Sequence, residues 1–187
     1  MAYLHPRDLQ TQQNIDRLIV DMPFYVNDFR IYKERNLGSP YSMQKYLYIF
    51  RHFFTWLIDQ NMVTAETMKD ISLEELSELP LLSIELYIDE VREGKMEIQK
   101  SNLAKKRDLK TVANVISSLK SLFKYLSEKS EDNETKQTYL DRDVMAKVPI
   151  PIKKQTSQYR ANMFSKYLIG GEDFLNLYYY IEFEYGH

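Results

Sequence analysis

Cysteine is absent from the 187 residues, and histidine occurs three times, at His5, His52 and His187. Without cysteine there are no disulfides, no thiolate nucleophile and no Cys-bearing zinc site, a composition suited to a reducing cytoplasm. The histidines stand far apart in sequence, so no local metal-ligand or His-based catalytic pattern exists, and no cofactor is expected. Glycine (5) and proline (6) are scarce, which leaves few places for a helix to break. No run of about 18 apolar residues occurs and the N-terminus is polar, so neither a membrane span nor a signal peptide is expected. An excess of one charge is missing too: 25 Lys+Arg stand against 27 Asp+Glu, a net of −2. Taken whole, that balance argues against a nucleic-acid partner.

What is present is apolar content, 44%, enough to bury a core in one large or two small domains. The apolar residues recur at helical spacing almost throughout, so the chain reads as all-α. Leu9, Ile15, Leu18 and Ile19 mark a first amphipathic segment, interrupted at Met22-Pro23 and resumed over 24–35, because proline removes a donor and disfavours helix before it. A second helix is expected over 40–60, with Met43, Leu47, Phe50, Phe54 and Leu57 as its stripe and Tyr46, Phe53 and Ile58 widening it. Residues 64–79 read as short acidic turns, with Thr64 and Ser72 as N-caps and Glu75 completing a capping box. A third helix over 81–93 rests on Leu82, Leu86 and Ile88, with strand as the weaker reading. A fourth over 102–129 carries Leu109, Val112, Ile116, Leu119, Phe123 and Leu126. Residues 130–138 read as a polar loop, 148–158 as an extended basic linker, and 171–185 as a last amphipathic segment.

Divided by segment, the charge is far from neutral. Residues 59–93 hold ten acidic and two basic side chains, a net of −8. Residues 95–124 hold eight basic (Lys95, Lys100, Lys105, Lys106, Arg107, Lys110, Lys120, Lys124) and two acidic ones, a net of +6. Residues 147–166 hold five basic and no acidic ones. Phosphate attraction follows the local face, since screening sets in beyond roughly 8–10 Å at physiological salt. The bland alternative, basic residues that merely solvate a helix, stays open on charge alone.

The fourth helix carries an unusual polar face: Lys110, Thr111, Asn114, Ser117, Ser118 and Ser121, with Lys120 and Lys124 at its edges. Solvated helix faces favour Glu, Lys and Gln, because Ser, Thr and Asn are weaker helix formers. Short hydroxyl and amide side chains let a helix sit deep in a major groove and reach phosphates and base edges. The second helix has a comparable outer face in Ser42, Gln44, Lys45, Tyr48, Arg51 and His52. A small-residue face packed against another helix is the competing explanation.

Several stretches resemble one family. They are Met22-Pro23-Phe24-Tyr25-Val26, Pro40-Tyr41-Ser42, Arg51-His52-Phe53-Phe54-Thr55-Trp56-Leu57, and the run from Ile116-Ser117-Ser118-Leu119 to Phe123-Lys124-Tyr125-Leu126. Arg142-Asp143-Val144-Met145-Ala146-Lys147-Val148, Lys153-Lys154, Arg160-Ala161 and Gly170-Gly171-Glu172 follow in order. The ordered set resembles the N-terminal core-binding (SAM-like) domain of tyrosine site-specific recombinases, most closely the Xer type that acts as a single recombinase. The resemblance implies an orthogonal bundle of four to five helices over 1–147, a basic interdomain linker over 148–165, and the start of a catalytic domain over 166–187. It implies double-stranded DNA as partner, one half-site of an inverted repeat, with other protomers joining in a tetrameric synapse. The expected setting is the cytoplasm, at the nucleoid, with no membrane. Carried over residue by residue, Ser42, Lys45, Tyr48, Arg51 and His52 would be second-helix contacts. Lys106, Arg107, Lys110, Thr111, Asn114, Ser117, Ser118, Lys120 and Ser121 would belong to the fourth helix and its approach, and Lys153 and Lys154 to the linker. The sequence departs from the family in having Asn114 and Ala113 where such sequences tend to place Arg and Asn, and Tyr48 at an often basic position.

In this family catalysis uses two arginines, a lysine, histidines and a tyrosine nucleophile, and neither the Gly-x-Arg-x-Ser-Glu nor the His-x-x-Arg motif occurs here. Tyr178, Tyr179, Tyr180 and Tyr185 lack cationic partners arranged nearby in sequence, and a hydroxyl of pKa near 10 needs them to attack a phosphate. No catalytic residue is therefore expected in the chain, which reads as the DNA-gripping front half of an enzyme active in chromosome dimer resolution. A phage or transposon integrase would present the same domain. A helical protein-interaction module without DNA affinity is the alternative of a different class.

Overall fold

The computed structural model describes residues 6–36, 39–94, 108–132 and 134–151. The chain divides into two units, Met1–Ile152 and Lys153–His187, and the described residues all belong to the first. They are helical, with no strand among them: α1 (Pro6–Ile19), α2 (Phe24–Arg35), α3 (Pro40–Asp59), α4 (Leu73–Glu78), α5 (Leu81–Glu93) and α6 (Leu109–Glu128), plus 3-10 turns at Met68–Asp70 and Val144–Lys147. The second and fourth helices of the sequence reading are α3 and α6. Lys106, Arg107, Lys153, Lys154 and the segment 171–185 lie outside the described residues.

Local chemistry sets the ends. Pro23 precedes α2 in extended geometry and Pro40 occupies the first turn of α3, where a missing N–H costs nothing. At the far end of α3, Asn61 takes a left-handed φ of 53°. Its N–H donates to Ile58 O and that of Met62 to Leu57 O, both at 2.9 Å, the pairing of a Schellman cap with asparagine in place of glycine. Gly94 ends α5 in the left-handed conformation at φ 72°, its N–H directed to Glu90 O and Val91 O, a conformation that costs a side-chain-bearing residue more. Ser72 and Glu75 form the expected capping box at α4.

Thr64 caps no helix. Its N–H and Oγ1 instead donate to Glu75 Oε1 at 2.6 and 2.7 Å, so one carboxylate serves both the α4 cap and the loop before it. Burial works to raise the Glu75 carboxyl, but bonds from Ser72, Thr64 and Ala65 outweigh it and hold the group below its usual range.

The expected stripe of α3 is the centre of the core: Met43, Leu47, Phe50, Phe54 and Leu57 are buried, and so are Phe53 and Trp56. From α6 come Val112, Ile116, Leu119, Phe123 and Leu126, joined by Val115, Leu122 and Tyr125. Leu109, at the first position of the helix, is exposed, as is Leu9. Asp108, in extended geometry, precedes Leu109, so the helix begins there and not near 102. Each buried leucine or phenylalanine contributes about 1.5–3 kcal/mol. Aromatic rings meet edge to face, as in Phe29–Phe50 at 5.6 Å and Phe53–Tyr87 at 5.0 Å, the arrangement their quadrupoles favour.

The stripe expected for α5 is rotated. Ile88 is buried as expected, but Leu82 and Leu86 are 63% and 44% exposed, and Ile84, Tyr87 and Val91 are buried in their place. After α6, Ser130 turns the chain back by donating to Leu126 O while accepting from Tyr139 N. The polar loop then folds on Asp132, which accepts from the N–H groups of Glu134 and Thr135. Tyr139 donates to Asp28 on α2 at 2.8 Å, and Arg142 donates to Ser77 O and Leu79 O behind α4. The returning segment is thereby fastened to α2 and to the C-terminal end of α4.

Candidate nucleic-acid interface

Residues at i, i+3 and i+6 of a helix stay on one broad face. Ser42, Lys45 and Tyr48 make such a ladder on α3, and Thr111, Asn114 and Ser117 make another on α6. The two helices pack against each other, and both ladders line a single groove of about 700 Å³. Tyr46, Ile49, Val115 and Ser118 complete its lining. Ile49 and Val115 are buried, whereas Ser42, Lys45, Tyr48, Asn114 and Ser117 are exposed. The groove thus has an apolar base and a rim of hydroxyls, an amide and an ammonium, and none of its lining residues is acidic.

Seven of the residues singled out from the sequence meet here: Ser42, Lys45, Tyr48, Thr111, Asn114, Ser117 and Ser118. Their chemistry is not uniform. Lys45 Nζ lies 4.4 Å from the centre of the Tyr41 ring, a cation–π contact worth about 0.5–1 kcal/mol at an exposed site. That contact holds the ammonium on a short leash. Ser118 is buried and its Oγ donates to Asn114 O at 2.8 Å, so its hydroxyl is committed to the helix. Thr111 is half-buried.

Other singled-out residues sit elsewhere. Arg51 and Lys110 are exposed on the same two helices but do not line the groove. His52 is half-buried, and its Nδ1 shares a 2.9 Å hydrogen bond with the Tyr87 hydroxyl of α5. Burial pushes that hydroxyl well above its usual pKa, so it stays protonated. Lys120 donates to Ala146 O at 3.3 Å, reaching the 3-10 turn after the polar loop. Ser121 is half-buried. Tyr41, Ile49 and Val115 carry no sequence mark of this groove, and the apolar spacing of Tyr46 places it with the core stripe. The one exception is the i+3 spacing of Ile49 behind Tyr46, a signal for the groove's base.

Among the described residues no group of three or more His, Asp or Glu could hold a metal ion, and no helix is long and apolar enough to cross a membrane.

A protein named tyrosine recombinase XerS from Streptococcus mutans serotype c is 34% identical over 178 residues, 94% of this chain and 49% of that protein. Its namesake from Streptococcus pneumoniae is 33% identical over 177 residues, 92% of this chain and 48% of that protein. That from Streptococcus equi subsp. zooepidemicus is 33% identical over 169 residues, covering 89% and 46%. Over nearly its whole length this chain is similar to tyrosine recombinases. It spans about half the length of the recombinases it matches. No family model matches the chain, and no solved structure does. In a chain similar to half of a recombinase, a groove with a cationic, hydroxyl-bearing rim and no carboxylate is the feature to be explained.

Proposed function

We propose that this chain is the DNA-binding half of a site-specific tyrosine recombinase, and that it grips one half-site of an inverted repeat through the groove between α3 and α6. In this reading 1–147 is the core-binding domain, 148–165 the basic linker and 166–187 the start of the catalytic domain. The parent enzyme acts in chromosome dimer resolution, and its other protomers are the further partners on DNA. One observation carries the reading: residues of groove-compatible chemistry on helices about seventy positions apart line the same groove. A bundle made only for protein contacts has no need of that coincidence. The exposed acids Glu85, Asp89 and Glu93 belong to α5, which carries none of the groove's lining. The same reading makes the chain itself unable to cut DNA, because the Arg, His and Tyr constellation that displaces a phosphate is not in its sequence.

A gel-shift titration against inverted-repeat half-sites, with scrambled duplexes as controls, tests the reading. Raising salt from about 50 to about 200 mM should weaken binding roughly 40-fold if three phosphates are neutralised. Equal retention at both salts, or no binding at the lower one, would count against it.

A further inference from the structure

We propose that Asn114 is the base-reading side chain of the groove and that the base it reads is adenine, an inference that rests on the DNA-binding role of the α3–α6 groove. Reading a base edge in the major groove requires a donor and an acceptor on one short, exposed, planar group. Asn or Gln meets adenine N6 and N7 in this way, whereas Arg or Lys meets guanine O6 and N7. Among the lining residues Asn114 alone carries an amide, and it is exposed. The neighbouring groups are fitted for other tasks. Lys45 is a point charge held over Tyr41, suited to a phosphate, and the Ser118 hydroxyl is bound within the helix.

The surroundings decide whether an asparagine can reach. Around Asn114 on α6, Lys110 apart, the side chains are Thr111, Ala113, Ser117, Ser118 and Ser121, all short, so little on that face holds the helix axis away from the bases. A major groove about 12 Å wide admits an α-helix at such close approach. Lys110, one turn before Asn114, is exposed. It supplies charge beside the amide, where a phosphate strand flanks a helix lying in the groove, whereas Lys124 is ion-paired with Glu128 at 3.8 Å.

The test is selection from randomised duplexes with the full 187-residue chain, followed by titration of the enriched sequence. The unaltered chain should enrich adenine at one position. Asn114→Ala should flatten the preference at that position by about 5- to 100-fold and leave the other positions alone, because a good bidentate pair discriminates by that much. Asn114→Arg should move the preference from adenine to guanine at the same position. Replacing that adenine by 7-deazaadenine, which lacks the N7 acceptor, should weaken the unaltered chain and leave Asn114→Ala unaffected. An adenine preference that survives Asn114→Ala, or an equal loss at every position, overturns the assignment while leaving DNA binding intact. Failure to enrich any duplex overturns the DNA-binding reading and this inference with it.

Discussion

Helix α3 has two different borders. Towards α6 its residues Ser42, Lys45 and Tyr48 stand over an open groove. Towards α5 its residues His52 and Trp56 are hydrogen-bonded across the border, His52 to Tyr87 and Trp56 Nε1 to Glu90 Oε2 at 3.1 Å. Polar residues recur at similar spacing along both stretches, yet one set meets solvent and the other meets a partner helix. Helical periodicity tells which side chains share a face; it does not tell what lies opposite that face. His52 makes the point best. It follows Lys45 by seven residues, nearly in line on the helix, and differs from it because Tyr87 stands beside it, whereas Lys45 lies over the Tyr41 ring and is exposed.

The two borders should respond to mutation in different observables. Tyr87→Ala should have the largest effect, since Tyr87 is fully buried with its ring against Phe53 and Trp56. Truncating a buried aromatic costs about 3–5 kcal/mol, seen as a fall in thermal midpoint on the order of 10 °C. Base preference of the protein that remains folded should not change. If it does change, the closed border is coupled to the groove and the separation fails. Lys45→Ala should act in the opposite sense, with folding stability nearly constant and DNA affinity reduced for every sequence. Its loss should lower the salt slope by about 1, measured by repeating the gel-shift at several salt concentrations. A loss confined to one sequence would make Lys45 a base reader and displace the phosphate role given to it here.

The α3 and α6 cores were legible in sequence because their apolar residues recur at intervals of three and four and match one face in number. Helix α5 was not, and its composition explains why. It offers Leu81, Leu82, Ile84, Leu86, Tyr87, Ile88 and Val91, more apolar residues than one face can bury. The inward set, Ile84, Tyr87, Ile88 and Val91, has spacing as good as the one expected through Leu82, Leu86 and Ile88, which shares only Ile88 with it. The choice between them falls to contacts far away in sequence, including Trp56 with Glu90. The groove was legible as two faces and not as one site. Spacing supplied Ser42, Lys45, Asn114 and Ser117, but their convergence depends on α3 packing against α6, a contact between segments about seventy residues apart. Thr64 shows the same limit at smaller scale. Its type fits a helix cap, and only the carboxylate of Glu75, eleven residues on, diverts it.

Ser118→Ala should be the smallest perturbation, and it probes the line between the groove and the core. Ser118 lines the groove yet is 6% exposed. Its hydroxyl donates to a carbonyl one turn back, that of Asn114, and such back-bonding adds little to a helix. Removing the hydroxyl forfeits a hydrogen bond worth about 0.5–1.5 kcal/mol but gains about 0.5 kcal/mol of helix propensity, alanine being the best former. The Asn114 carbonyl is not orphaned by the change, since the helical backbone bond remains open to it. Thermal midpoint and DNA affinity should therefore both stay nearly where they were, the affinity within about twofold. A fivefold or greater loss of affinity at constant stability would mean that DNA reaches past the rim of Asn114 and Ser117 to the buried hydroxyl. The groove would then be read to its base, and the border between contact and core would lie one helical position deeper.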